Sequence, residues 1–148
     1  MKIASNLGKV ISGYDDDRYL LGEGGNDCTV VSLAAAFKMS YTAAHKLAGK
    51  YGRETGRGML TPFFIDMYEN LEREGKVREL TREEITTYYP STGMIRQNKL
   101  STFIKNNPIG TFVLMVRGHA ITIEDGVVLQ GFTPPNQYVK IGWKVVKG

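Results

Sequence analysis

The chain has 148 residues, 42% of them hydrophobic and 23% charged, with a formal net charge of +4 and a sequence pI near 9.2. That length supports one domain, residues 1–148, with its own core, and the composition is that of an ordinary globular protein. No Lys/Arg run or aromatic–basic alternation marks a specific nucleic-acid binder, no stretch is long enough to span a bilayer, and a single cysteine excludes both an internal disulfide and a Cys/His zinc site.

Residues Met1 to Gly8 lack the apolar core of a signal peptide, so the expectation is a cytoplasmic protein without a cofactor. Lys9-Val10-Ile11 reads as a short strand. Asp15-Asp16-Asp17 reads as a solvated turn, because a hard-cation site needs more convergent oxygens than one local run supplies.

Gly24-Gly25-Asn26-Asp27-Cys28 then runs into Thr29-Val30-Val31-Ser32-Leu33-Ala34-Ala35-Ala36, apolar on most sides and expected as a buried helix to about Met39. Its start carries the only cysteine. Unpaired N–H groups and a partial positive charge at a helix N-terminus favour thiolate over thiol, which makes Cys28 a candidate nucleophile. Asn26 or Asp27 is the expected cap, and the glycines allow a sharp turn.

Ser40 is expected to cap a second helix, Tyr41 to Tyr51. His45 lies in it and reads as a surface or half-buried histidine, with no sequence neighbour to orient it. Gly52 to Gly58 is a polar, glycine-rich loop that lacks the Lys-Ser/Thr ending of a phosphate loop. Thr61-Pro62 opens a third helix, with Thr61 as its expected cap and with Phe64, Met67, Tyr68 and Leu71 at core spacing. Thr81-Arg82-Glu83-Glu84 has the form of a capping box, and a further short helix is expected near Gln97 to Lys105.

The pattern then changes to strands. Thr111 to Val116 is a continuous apolar run, His119 to Glu124 alternates, and Asp125-Gly126 is a two-residue hairpin turn leading into Val127 to Phe132. Gln137 to Val146 is the last expected strand, and it could form a sheet edge. The fold class is α+β, with N-terminal helices packed on a C-terminal antiparallel sheet.

The hairpin fixes a register. Glu124 faces Val127, so Ile121 faces Gln130 and His119 faces Phe132, and His119, Ile121, Ile123, Val128, Gln130 and Phe132 share one sheet face. That apolar face is expected to pack on the Cys28 helix. His119 and Gln130 are diagonal neighbours about 7 Å apart, so the glutamine carbonyl is placed to accept the His119 Nδ1–H and leave Nε2 facing the thiol. A nucleophile, a base and an orienter result, with Asn136 in reserve if the hairpin slips by one residue.

Asn26-Asp27-Cys28 before an apolar helix, and Pro108 to Leu114 before Gly118-His119-Ala120 and the Asp125-Gly126 turn, together resemble the papain-like cysteine peptidases. The likeness is to the small single-domain members encoded by bacteriophages. It implies a papain-like fold and a thiol-protease activity on a protein or peptide substrate in the host cytoplasm. Carried onto this chain, the resemblance makes Cys28 the nucleophile, His119 the base and later the acid, and Asn26 an oxyanion donor alongside the Cys28 backbone N–H. A Cys-His-Gln set is also similar to papain-like glutamine deamidases, which keeps deamidation as one alternative. A silent site on a phage-encoded protein that binds a host factor is another.

Overall fold

A computed structural model describes residues 1–4, 6–129 and 135–146 of the chain. Six helices and eight strands are formed among them: β1 (Lys2–Ile3), α1 (Asp16–Leu20), α2 (Cys28–Phe37), α3 (Tyr41–Lys50), α4 (Thr61–Arg73), β2 (Val77–Glu79), α5 (Arg82–Ile85), β3 (Thr86–Tyr89), β4 (Met94–Gln97), α6 (Leu100–Asn106), β5 (Thr111–Val116), β6 (His119–Glu124), β7 (Val127–Val128) and β8 (Val139–Val145). The class is α+β, as the switch in hydrophobic period implied.

Local signals set the helix ends. Ser40 Oγ accepts from the Ala43 amide at 3.1 Å and starts α3. Thr81 and Glu84 form the reciprocal capping box of α5. α2 stops where Lys38 turns left-handed, with φ of 56°. Thr61 is the first residue of α4 and not its cap, a place taken by Leu60. Pro62 still lies in the first turn, where its missing N–H has no intrahelical partner to lose.

Six strands form one sheet in the order β1-β7-β6-β5-β8-β2. All neighbours are antiparallel except β1 and β7. The Asp125-Gly126 turn holds both residues at positive φ, and the register beside it is the expected one, Glu124 opposite Val127 and Ile123 opposite Val128.

The sheet separates two cores. Val113, Met115, Ala120, Leu129 and Trp143 pack with α2, α3 and α4 on one face. There Trp143 stacks on Tyr68, with ring centroids 4.7 Å apart, and meets Phe64 edge-on. Phe112, Leu114, Val116, Ile121, Ile123 and Val128 pack with Leu100 and Phe103 of α6 on the other. Gly142 lies opposite Leu114, and a Cβ there would fall 2.5 Å from the Leu114 side chain and 2.8 Å from that of Leu80. No helix among the described residues is long and apolar enough to cross a membrane.

Three expectations are corrected, and one hairpin has no counterpart among them. Lys9-Val10-Ile11 is no strand: Leu7–Lys9 is a 3₁₀ turn, and the strand is Lys2–Ile3. β8 is not an edge, because β2 pairs with its outer side. Residues 86–97 form a separate hairpin, β3–β4, whose β4 side chains are all exposed and so give no burial period to read. Finally, the face of Ile121, Ile123 and Val128 packs on α6, while α2 covers the opposite face. On that more polar face Thr122 bonds to Ser32 of α2 and Glu124 meets Lys38 just past its end.

Candidate active site

Cys28 is the first residue of α2 and His119 the first of β6. Two contacts fix how these elements run. Thr122 Oγ1 donates to the Ser32 carbonyl at 2.7 Å in the core, and Lys38 Nζ meets Glu124 Oε2 at 2.5 Å. The order is the same along both, so α2 and β6 run in one direction. Cys28 lies about 6 Å back from Ser32 at the helical rise. His119 lies about 10 Å back from Thr122 at the strand rise. Both residues therefore emerge at the same end of the α2–β6 layer. They share that end but not a face, because the pleat puts His119 on the side of Val116 and Ile121, away from α2.

The turn before His119 is Arg117-Gly118, both at positive φ, which matches the twist of the β5–β6 hairpin. His119 is partly buried, and that burial pushes its imidazole below the ordinary value of 6.5. A neutral imidazole is the form able to take a proton from a thiol.

The loop that delivers Cys28 is pinned at both ends. Glu23 has its side chain fully shielded, and so does Arg53 to within 1% exposure. Their pairing is bidentate, with both N···O distances at 2.8 Å. Arg53 also donates to the Asn26 carbonyl at 3.0 Å, and the Gly56 amide donates to Glu23 at 3.0 Å. Burial alone would raise the Glu23 carboxyl, but the bonds from Arg53 and Gly56 and the Arg53 and His45 charges hold it below its ordinary value. His45 Nε2 stands 2.9 Å from Glu23. That corrects the expectation that nothing orients His45: its partner lies far away in sequence.

At the other end of the loop, Asp27 is buried. It accepts from Arg18 at 2.7 and 3.1 Å and from the Tyr41 hydroxyl at 2.7 Å. Burial, then the bond to Asp27, raises the Tyr41 phenol above its ordinary range. Asp27 occupies the cap position of α2 but makes no side-chain cap bond; its oxygens accept instead from Arg18 and Tyr41. Between the two anchors, Gly24, Gly25 and Asn26 are exposed, and a Cβ at either glycine would meet nothing within 4 Å.

Asn26 Nδ2 donates to the Gly56 carbonyl at 3.3 Å, which ties the glycine-rich loop 52–58 to the loop before Cys28. Gln130, the expected orienter, lies outside the described residues. Asn136 is exposed and lines a depression with Arg117, beside the turn that leads to His119. Among the described residues, no group of three or more His, Cys, Asp or Glu side chains is placed to hold a metal.

Comparison with known proteins gives no match to a family model, a curated protein or a solved structure. Sequence reasoning missed Glu23, Arg53, Arg18 and Tyr41. Their partners lie nine to thirty positions away along the chain, so no local pattern marks them.

The titrating groups predict a stability profile. His119 holds its proton less tightly folded than unfolded, so its contribution is full above the unfolded value near 6.5 and is lost as pH falls through its lower folded value. Glu84, held at about 2 chiefly by hydrogen bonds from Arg78, and Glu23 lose theirs only below their ordinary value of 4.5. Thermal melts across pH are expected to show wild type losing stability just below 6.5, where His119→Gln stays flat, and both declining together in stronger acid. Parallel curves throughout would contradict it.

Proposed function

We propose that this chain is a cysteine-dependent amide hydrolase of the papain-like kind, acting on a protein substrate. The observation that supports it most is the parallel run of α2 and β6, whose first residues, Cys28 and His119, lie at the same end of the α2–β6 layer. In this reading the His119 ring turns back over the open end of β6 toward α2, and the Cys28 sulfur attacks the amide carbon while His119 takes the thiol proton. The proton then passes to the leaving amine as the C–N bond breaks. Water, deprotonated by His119, attacks the thioacyl carbon and releases the acid, and the sulfur regains its proton. The Asn26 amide carries a second N–H beyond the one on Gly56, and that is the donor an oxyanion would use.

A second reading, a fold that keeps these residues but acts by binding, is favoured by one observation. His119 belongs to the pleat face that α6 covers. Iodoacetamide labelling of the folded chain separates the two. The hydrolase reading expects Cys28 to react at least about tenfold faster at neutral pH than an unactivated small thiol, with most of that gain lost in His119→Ala. A thiol of ordinary reactivity, indifferent to His119, leaves only the binding reading.

A further inference from the structure

A groove starts at the turn before His119 and runs past Tyr138 and Lys140, at the start of β8, to the β3–β4 hairpin. Three adjoining depressions make it up. Tyr138 and Lys140 belong to the first, together with Arg117; Tyr138 also lines the second, with Tyr89, Arg96 and Lys99; and Lys140 lines the third, with Arg82. Lys99 and Tyr138 are bridged across their backbones, which joins the hairpin side to the β8 side.

The charge along this path is one-sided. Arg82, Arg96, Lys99, Arg117 and Lys140 are all exposed, and Glu79 is the only acid among the lining residues. Outside this path Arg18, Lys38, Arg53, Arg57, Arg73, Lys76 and Arg78 are in ion pairs, whereas Lys2, Lys9, Lys46, Lys50, Lys105 and Lys144 are in none among the described residues and are not gathered in these depressions. None of the five groove cations is in an ion pair among the described residues. Unpaired like charges held side by side repel each other, and an anionic occupant relieves that repulsion. The aromatic faces of Tyr89 and Tyr138, at 46% exposure each, lie between them.

We infer that this groove seats an acidic stretch of the polypeptide substrate, on one side of the amide delivered to Cys28. The inference rests on the hydrolase reading, since a thiol acylated at Cys28 needs a chain that carries acyl carbons, and this groove leads from the turn two residues before His119. A nucleic acid would satisfy the charge but offers the thiol no such carbon.

The test uses the full chain carrying Cys28→Ala and a fluorescent Glu/Asp-rich peptide, read by anisotropy. Saturable binding is expected, weakening as salt rises and absent for the Gln/Asn version of the peptide. Charge reversal at Arg96→Glu with Lys99→Glu is expected to raise Kd about tenfold or more, and Arg117→Glu to raise it further. These side chains are exposed, and circular dichroism checks that the variants keep the fold. No binding, a Kd unchanged by the reversals, or displacement of the peptide by a lower concentration of oligothymidylate overturns the proposal. Cys28 alkylation on the same reversals with the cysteine restored reports on the site alone. Lost peptide binding beside an unchanged fast alkylation supports both readings, whereas peptide binding on a chain whose Cys28 is not activated supports the groove and overturns the hydrolase.

Discussion

Replacing Arg53 by methionine is expected to cost the fold about 3–5 kcal/mol, because it leaves the Glu23 carboxylate shielded from water with its bidentate partner gone. This is the most deeply shielded ion pair among the described residues. Glu23 has no exposed side-chain surface, and Arg53 also holds the Asn26 carbonyl. A loss of that size is a large part of the stability of a domain this small, typically about 5–15 kcal/mol. The converse change is milder. Glu23→Gln together with Arg53→Met removes both charges, and the double variant is expected to recover more than half of the loss. Urea unfolding of the three variants measures this directly. An Arg53→Met cost below about 1 kcal/mol would mean that the pair is solvated in solution, as surface pairs are.

Asp27→Ala is expected to destabilise by about 2–3 kcal/mol, chiefly by orphaning the buried Tyr41 hydroxyl. Arg18 loses its partner as well, but it is partly exposed and solvent compensates it. The test that separates this from helix capping is Asp27→Ser. Serine is a good cap, so if Asp27 acted as a cap the serine variant would keep nearly full stability. The absence of a cap bond at Asp27 predicts instead that serine behaves much like alanine, while Asp27→Asn, which keeps an acceptor for Tyr41, falls between. Because Asp27 directly precedes Cys28, the alanine variant is also expected to change the alkylation rate of Cys28. Tyr41→Phe, which removes the same bond from the far side, reproduces the stability loss in smaller measure.

Both anchors bear on the proposed chemistry. A nucleophile on an exposed glycine loop would sample many positions. Here Glu23–Arg53 holds one end of the loop and Asp27–Arg18–Tyr41 the other, so the glycines between can open toward solvent while Cys28 stays at the start of a buried helix. Loop 52–58 serves this arrangement as a brace, through Arg53 and Gly56, and Gly52 and Gly56 supply its positive-φ turns.

The sequence by itself determined what depends on neighbours along the chain. The apolar run from Val30 to Ala36, the caps at Ser40 and Thr81, and the Asp125-Gly126 turn are each set by backbone geometry and hydrogen bonds within a few residues. They placed Cys28 at a helix start and His119 at a strand start without any tertiary information. Only the tertiary structure decided which side of the sheet α2 covers. Thr122 and Glu124 are polar, and alternation alone assigns them to solvent, yet the Ser32 carbonyl and Lys38 draw both toward α2. The same holds for the sheet edges and the buried ion pairs. β2 has too few buried residues to show a period, and Glu23 meets Arg53 across thirty positions of chain. Pairing at that separation is fixed by how the layers close, and no local preference encodes it.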